Sequence, residues 1–185
     1  MMRRIERTKA YGVTLLATLS LLSVQCDVGK GTRSADRLPD QVICRFRVEE
    51  TRGGRPLFLL VAEKATVYDD GLRIEVSAPQ VTFLDEGRRP YSLMTADSGT
   101  IFRNTEELVV RGSVHIETSE STRLITDSLT WSNRLRRLHT DAVVVLQTRH
   151  GRIEGQGLVS DPSLERVEIK SEVIGHTNYE FESRQ

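Results

Sequence analysis

Cysteine is scarce in this sequence, and so is any surplus of charge of one sign. The two cysteines, Cys26 and Cys44, are too few for a disulfide-stapled scaffold and have the wrong spacing for a zinc site. The 26 basic residues equal the 26 acidic ones, so no overall positive field exists to attract nucleic acid. A chain of 185 residues with 38% hydrophobic residues is therefore predicted to form one ordinary domain that binds no nucleic acid.

The chain also lacks the spacing of side chains that catalysis or metal binding requires. His115, His139, His150 and His176 lie in four separate segments, without the close pairing of a metal site. The serines lack a nucleophile-elbow context, and Cys44 has no assigned base. We therefore expect no catalytic residue, no metal and no cofactor.

The only long uncharged run lies near the N-terminus. A basic start, residues 3–9, precedes the apolar residues 11–24, which is the pattern of an export signal. Spanning a bilayer takes about 20 helical residues, so this run is short. Cys26 follows it directly and resembles the lipidated cysteine of bacterial lipoproteins, although Gln25 departs from the small residue expected there. Residues 1–26 are predicted to be a single-pass anchor, a cleaved signal or a lipidated terminus.

Hydrophobicity with a period of two dominates the rest of the chain. Residues 27–41 are rich in Gly, Asp, Arg and Ser, which predicts a flexible tether. In residues 72–76 apolar side chains alternate with polar ones, and short segments of this kind, roughly ten in all, are separated by turn sequences. No convincing amphipathic helix interrupts them. Residues 42–176 are therefore predicted to be an all-β sandwich, barrel or jelly roll, followed by a C-terminal tail, residues 177–185.

The phrase Leu-x-Thr-Asp occurs twice, at residues 124–127 and 138–141. It could supply a pair of catalytic carboxylates, Asp127 and Asp141, or the same corner of a β architecture used twice. Thr and Asp bond nearby backbone groups at bends, and no nucleophile or metal ligand lies close in sequence. We favour the corners and keep a lipid hydrolase, which would need both aspartates in one cleft, as a remote alternative.

Several segments, taken in order, resemble the LptC family over about residues 43–174. They are FLLVAEKATVYDDG, APQVTFLDEGRRPYSLMTADSG, LVVRGSVHI, RLITDSLTW, LHTDAVVVL and GQGLVSDPSLERVEI. The most specific elements are G-x-V-x-I at residues 112–116, the paired Thr-Asp corners, and G-x-G-L at residues 155–158. The resemblance implies an antiparallel β jelly roll of the OstA-like or LptA-like kind, with two packed, slightly open sheets behind an N-terminal anchor.

The resemblance also implies a function. It predicts a non-enzymatic component of the lipopolysaccharide export machinery, anchored in the inner membrane with its domain in the periplasm. Such a protein receives lipid from an inner-membrane ABC transporter and passes it to an LptA-like periplasmic bridge protein. An envelope scaffold lipoprotein, whose β-domain binds other proteins without carrying lipid, is the alternative.

Particular residues follow from this resemblance. The first strands, around residues 43–62, would dock on the transporter, and the edge of the last strand would pair with the bridge protein. The predicted edge residues are Leu164, Val167, Ile169 and Ile174. The acyl chains of lipopolysaccharide would lie between the sheets, although a closed core would show the same alternation. The predicted lining consists of Leu72, Ile74, Val76, Phe83, Leu108, Val110, Val114, Ile116, Leu124, Val144 and Leu146.

Overall fold

The computed structural model describes residues 38–177, which form eleven antiparallel strands. Within this range the one helical element is a 3-10 turn, Asp69–Gly71. The all-β jelly-roll prediction is confirmed. The strands are β1 Gln41–Arg52, β2 Arg55–Tyr68, β3 Arg73–Ser77, β4 Gln80–Leu84, β5 Pro90–Thr95, β6 Ser98–Phe102, β7 Glu107–Thr118, β8 Arg123–Ser132, β9 Arg137–Thr148, β10 Gly151–Ser160 and β11 Val167–Thr177.

The predicted anchor, with Cys26, and most of the predicted tether lie outside the described residues, as does nearly all of the predicted C-terminal tail. Between residues 38 and 177, no helix has the length and apolar character needed to cross a membrane.

The strands form one continuous sheet with two free edges. From β7 onward, successive strands pair in sequence order to β11, which pairs with β10 alone. At the opposite side, β1 pairs with β2 along almost its whole length. Between β2 and β7 the sheet divides into two paths. One path runs through β4 and β5 and the other through β3 and β6.

The long strands bend at the level where these two paths separate. In β7 the pairing with β8 shifts by one residue between Arg111 and Val114, and Gly112 there has a φ of +76°. The pairing of β8 with β9 shifts between Thr126 and Thr130, and that of β10 with β9 between Gln156 and Leu158. Bulges of this kind bend a strand and allow it to pass from one packed sheet to another.

The bends fold the sheet over on itself. Phe83 in β4 pairs with Ser92 in β5, and Ser92 pairs with Thr118 at the end of β7. Phe83 therefore lies at the same level across the sheet as the start of β8. Trp131 lies near the end of β8, roughly 25 Å further along the strand. The ring centroids of Phe83 and Trp131 are nevertheless only 5.1 Å apart. The two half-sheets therefore face each other, and the apolar core lies between them.

Candidate lipid-binding cleft and sheet edges

A cleft of about 640 Å³ opens between the two half-sheets. One wall comes from β1 and β2, and the other from β3, β6, β7 and the end of β8. Its volume falls within the range usual for ligand pockets, about 300–1,000 Å³. The apolar lining residues are Val48, Phe58, Leu60, Ile74, Ile101, Phe102, Leu108 and Trp131. The polar lining residues are Glu50, Arg52, Arg103, Glu106, Glu107 and Asn133.

Only part of the predicted lining reaches this cleft. Ile74 and Leu108 line it. Eight other members of the predicted set are at most 6% exposed and belong to the closed core, so their contact with lipid stays a prediction. They are Val76, Phe83, Val110, Val114, Ile116, Leu124, Val144 and Leu146.

The expectation that Leu72 faces the interior is wrong. Its side chain is 54% exposed, because the residue follows the 3-10 turn and precedes the first residue of β3. Because Leu72 is spaced two residues from Ile74, which is itself two from Val76, the alternation predicted that Leu72 belongs to the same strand face. The N–H of Leu72 instead donates to the carbonyl of Asp69, which closes the turn and rotates the side chain away from the core.

The floor of the cleft is aromatic. The ring of Trp131, the only tryptophan of the chain, meets the rings of Phe58 and Phe83 in edge-to-face contacts. The Phe58 and Phe83 rings also contact each other, at 6.2 Å between centroids. Such pairs add about 0.5–1.5 kcal/mol each beyond the burial of area, so the floor is held firmly.

Phe58, Leu60 and Trp131 were absent from the predicted lining. The alternation in β2 places Phe58 and Leu60 on one face, which identifies them as interior residues. It does not indicate where along the strand the two half-sheets separate. That separation depends on contacts between residues far apart in the chain, such as those of Trp131, and such contacts leave no pattern in the local sequence.

A polar bridge ties β1 to the opposite side of the cleft. Asn133 follows β8, and its Nδ2 donates to Glu50 Oε1 at 3.2 Å. Arg52 Nη2 donates to the Asn133 carbonyl at 3.2 Å and lies 3.7 Å from Glu106 Oε2. The Arg52–Glu106 pair is half exposed and contributes little stability by itself. Together these contacts place the end of β1 beside the turn between β8 and β9.

The Leu-x-Thr-Asp corners are confirmed as bends, although the threonines make the decisive bonds. Thr126 Oγ1 donates to the carbonyl of Val143 at 2.8 Å, and the N–H of Ala142 donates to Thr140 Oγ1 at 3.1 Å. Both threonines are buried, and both lie at the shifts of register in β8 and β9. The corner is thus fixed by a hydroxyl group that satisfies backbone groups freed by the bulge.

The two aspartates of these motifs do not form a catalytic pair. Asp127 and Asp141 are both exposed on the outer surface. Lys170 of β11 approaches to 2.6 Å, and its hydrogen bond and charge hold the pKa of Asp141 below the usual range. A general acid would need a raised pKa and a cleft shared with the base. Between residues 38 and 177, no three His, Cys, Asp or Glu side chains converge as a metal site.

The last strand has a partly buried first half and an exposed second half. Val167 and Ile169 pack against the core, whereas Val173 and Ile174 are 58% and 60% exposed. The prediction for Leu164 is wrong, because this residue lies in the turn before β11 and is only 7% exposed. The outer edge of β11 forms no backbone ladder with another strand in the described part of the chain.

Comparison with known families agrees with this architecture. The family model described as "Lipopolysaccharide-assembly, LptC-related" matches residues 13–180. The chain belongs to the LptC family. This LptC family member is thus an envelope protein involved in lipopolysaccharide transport. Members of the family are components of the transport system. A search of the curated proteins found no match.

Proposed function

We propose that this LptC family member holds lipopolysaccharide by its acyl chains in the cleft between the half-sheets. It receives the lipid from an inner-membrane ABC transporter and passes it to an LptA-like periplasmic bridge protein. The domain lies in the periplasm, and the N-terminal segment attaches it to the inner membrane. The chain performs no chemistry on the lipid.

The cleft is the observation that carries the proposal. Eight of its fourteen lining residues are apolar, and the other six are polar or charged. An acyl chain gains about 0.8 kcal/mol for each methylene group transferred from water to such a surface, so no catalytic or ionic group is needed to hold it. The sugar and phosphate groups of the lipid would stay at the border, in water.

The two free edges support the transfer step. A strand edge presents unpaired N–H and C=O groups that can add a strand from another protein. In the proposal β1 and β2 meet the transporter and β11 meets the bridge protein. The exposed Val173 and Ile174 beside the β11 edge supply apolar surface for that contact.

A photoreactive amino acid placed in the cleft tests the proposal. We expect the probe at Ile101, which lines the cleft, to label lipopolysaccharide in intact cells. The matched control is Val143, an apolar residue of the outer face that is 51% exposed and should label little. The folding of both variants is compared by circular dichroism.

The labelling pattern separates the two functions under consideration. Equal or absent labelling at the two positions, with both variants folded, would contradict the lipid conduit. It would leave the envelope scaffold, which uses the same strand edges and carries no lipid.

A further inference from the structure

The turn between β8 and β9 has an uncommon composition for a hairpin. Its exposed residues, together with the first residue of β9, are Arg134, Leu135, Arg136 and Arg137, which form the basic tip. The Leu135 side chain is 64% exposed. Tight turns favour small and polar residues such as Gly, Asn, Asp and Ser. The turns at the opposite end of the same strands, residues 119–122 and 149–150, contain no aliphatic side chain.

The arginines of the basic tip have no acidic counterpart. Within residues 38–177, none of the three forms an ion pair with a carboxylate. At the opposite end of the same strands, Arg123 lies 2.9 Å from Glu117, and Arg152 lies 3.3 Å from Glu154. The arginines there are neutralised by neighbouring acids, whereas the basic tip keeps three positive charges around an exposed leucine.

Hydrogen bonds hold the basic tip in one conformation. The N–H of Leu135 donates to Ser132 Oγ at 3.4 Å, and the N–H of Asn133 donates to the carbonyl of Glu106. The polar bridge to β1 holds Asn133 from the other side. Because the turn is ordered before any partner arrives, little conformational entropy opposes contact with a partner.

An exposed leucine among unpaired arginines is complementary to the surface of an anionic phospholipid membrane. Guanidinium groups pair with phosphate, and each basic residue near such a surface strengthens attachment by about fivefold. An apolar side chain gains further by entering the boundary between headgroups and acyl chains. A free anion would pair with the arginines and leave Leu135 in water.

We propose that the basic tip docks the domain on an anionic phospholipid membrane. The side chain of Leu135 enters the headgroup boundary, and the three arginines bind lipid phosphates. The inference goes beyond the proposed function, because residues 134–137 neither line the cleft nor belong to β1 or β11.

A fluorescent residue in the basic tip tests the proposal with the full chain. The chain is incorporated into phosphatidylcholine vesicles with or without the anionic lipid phosphatidylglycerol. The probe variant is Leu135→dansylalanine. The control is Val143→dansylalanine, because Val143 is a 51% exposed residue of the outer face. We expect the emission at position 135 to shift to the blue only with anionic lipid, and the emission at position 143 to shift with neither.

Removal of the three charges should abolish this shift, because it weakens the contact by about 100-fold. The charge-removal variant of the probe chain replaces every arginine of the basic tip: Arg134→Gln, Arg136→Gln and Arg137→Gln. A matched control removes the same total charge at the opposite end of the strands: Arg123→Gln, Arg149→Gln and Arg152→Gln. This control should keep the shift. Circular dichroism establishes that each variant is folded.

Three outcomes would overturn the docking proposal. They are the absence of a shift at position 135 in anionic vesicles, an equal shift in vesicles of phosphatidylcholine alone, and a shift that survives in the folded charge-removal variant. The first would leave the arginines to a protein partner or to solvent. Labelling of lipopolysaccharide at Ile101 tests the cleft separately, so the docking proposal and the proposed function fail independently.

Discussion

At the scale of single residues, Gly112 lies at the bulge of β7, where a side chain would have no room. A Cβ atom at this position would lie 2.4 Å from Asp97 Oδ2 and 3.0 Å from Asp97 Cβ. The Asp97 N–H also donates to the Gly112 carbonyl, which holds the two segments together. The φ of +76° adds strain for any residue with a side chain.

We predict that Gly112→Ala lowers the free energy of unfolding by about 2–4 kcal/mol, from backbone strain together with overpacking. The matched control is Gly53→Ala, because Gly53 has a φ of +58° and an added methyl group there would have nothing within 4 Å. That control should lose only about 1 kcal/mol. Urea denaturation measures both. Equal losses would show that the contact with Asp97 is not a constraint.

At the scale of the secondary structure elements, β11 is the strand whose pairing matters most for the proposed hand-over. It is bonded to β10 on one side only. The N–H groups of successive residues point to opposite sides of a strand. Of the neighbours Glu168 and Ile169, one therefore donates toward β10 and the other toward the free edge.

We predict that Glu168→Pro and Ile169→Pro both abolish capture of the bridge protein, since either proline disturbs the edge that the partner must extend. The proline that interrupts the β10 ladder should also lower the melting temperature, and Ile169→Pro should lower it in either case, because Ile169 packs against the core. Pull-down assays and thermal melts on both variants make the comparison. Undiminished capture by both prolines would exclude β11 as the docking edge.

The strands themselves could be predicted from sequence because their cause is local. Alternation identified Ile74 and Val76 as one face of β3, and the repeated Leu-x-Thr-Asp indicated the bends in β8 and β9. Leu72 was misplaced because a turn ends the strand where the alternation continues. The cleft could not be predicted, since a residue lining a gap and a residue in a closed core show the same period. The difference depends on how Trp131 meets Phe83 across the folded sheet, a contact between residues distant in sequence.

At the scale of the whole molecule, the fold divides one apolar interior into two parts that differ in how well they tolerate a charged side chain. Most of the interior is a closed core, where Ile116 is 1% exposed. The remainder lines the cleft, where Ile74 is only partly buried. A charge in the core cannot reach water and destabilises the fold, whereas a charge in the cleft can be hydrated and spoils only the apolar surface.

We therefore predict opposite outcomes for two isoleucine variants. Ile74→Glu should fold normally, by circular dichroism and thermal melting, and should bind less added lipopolysaccharide than the wild-type chain. Ile116→Glu should fail to fold, because a buried, unpaired carboxylate costs several kcal/mol, comparable to the whole stability of a domain. Val143→Glu on the exposed outer face should change neither property. A folded Ile74→Glu variant that still carries lipid would show that the acyl chains lie elsewhere. A stable Ile116→Glu variant would show that the two half-sheets open far more widely than their packing implies.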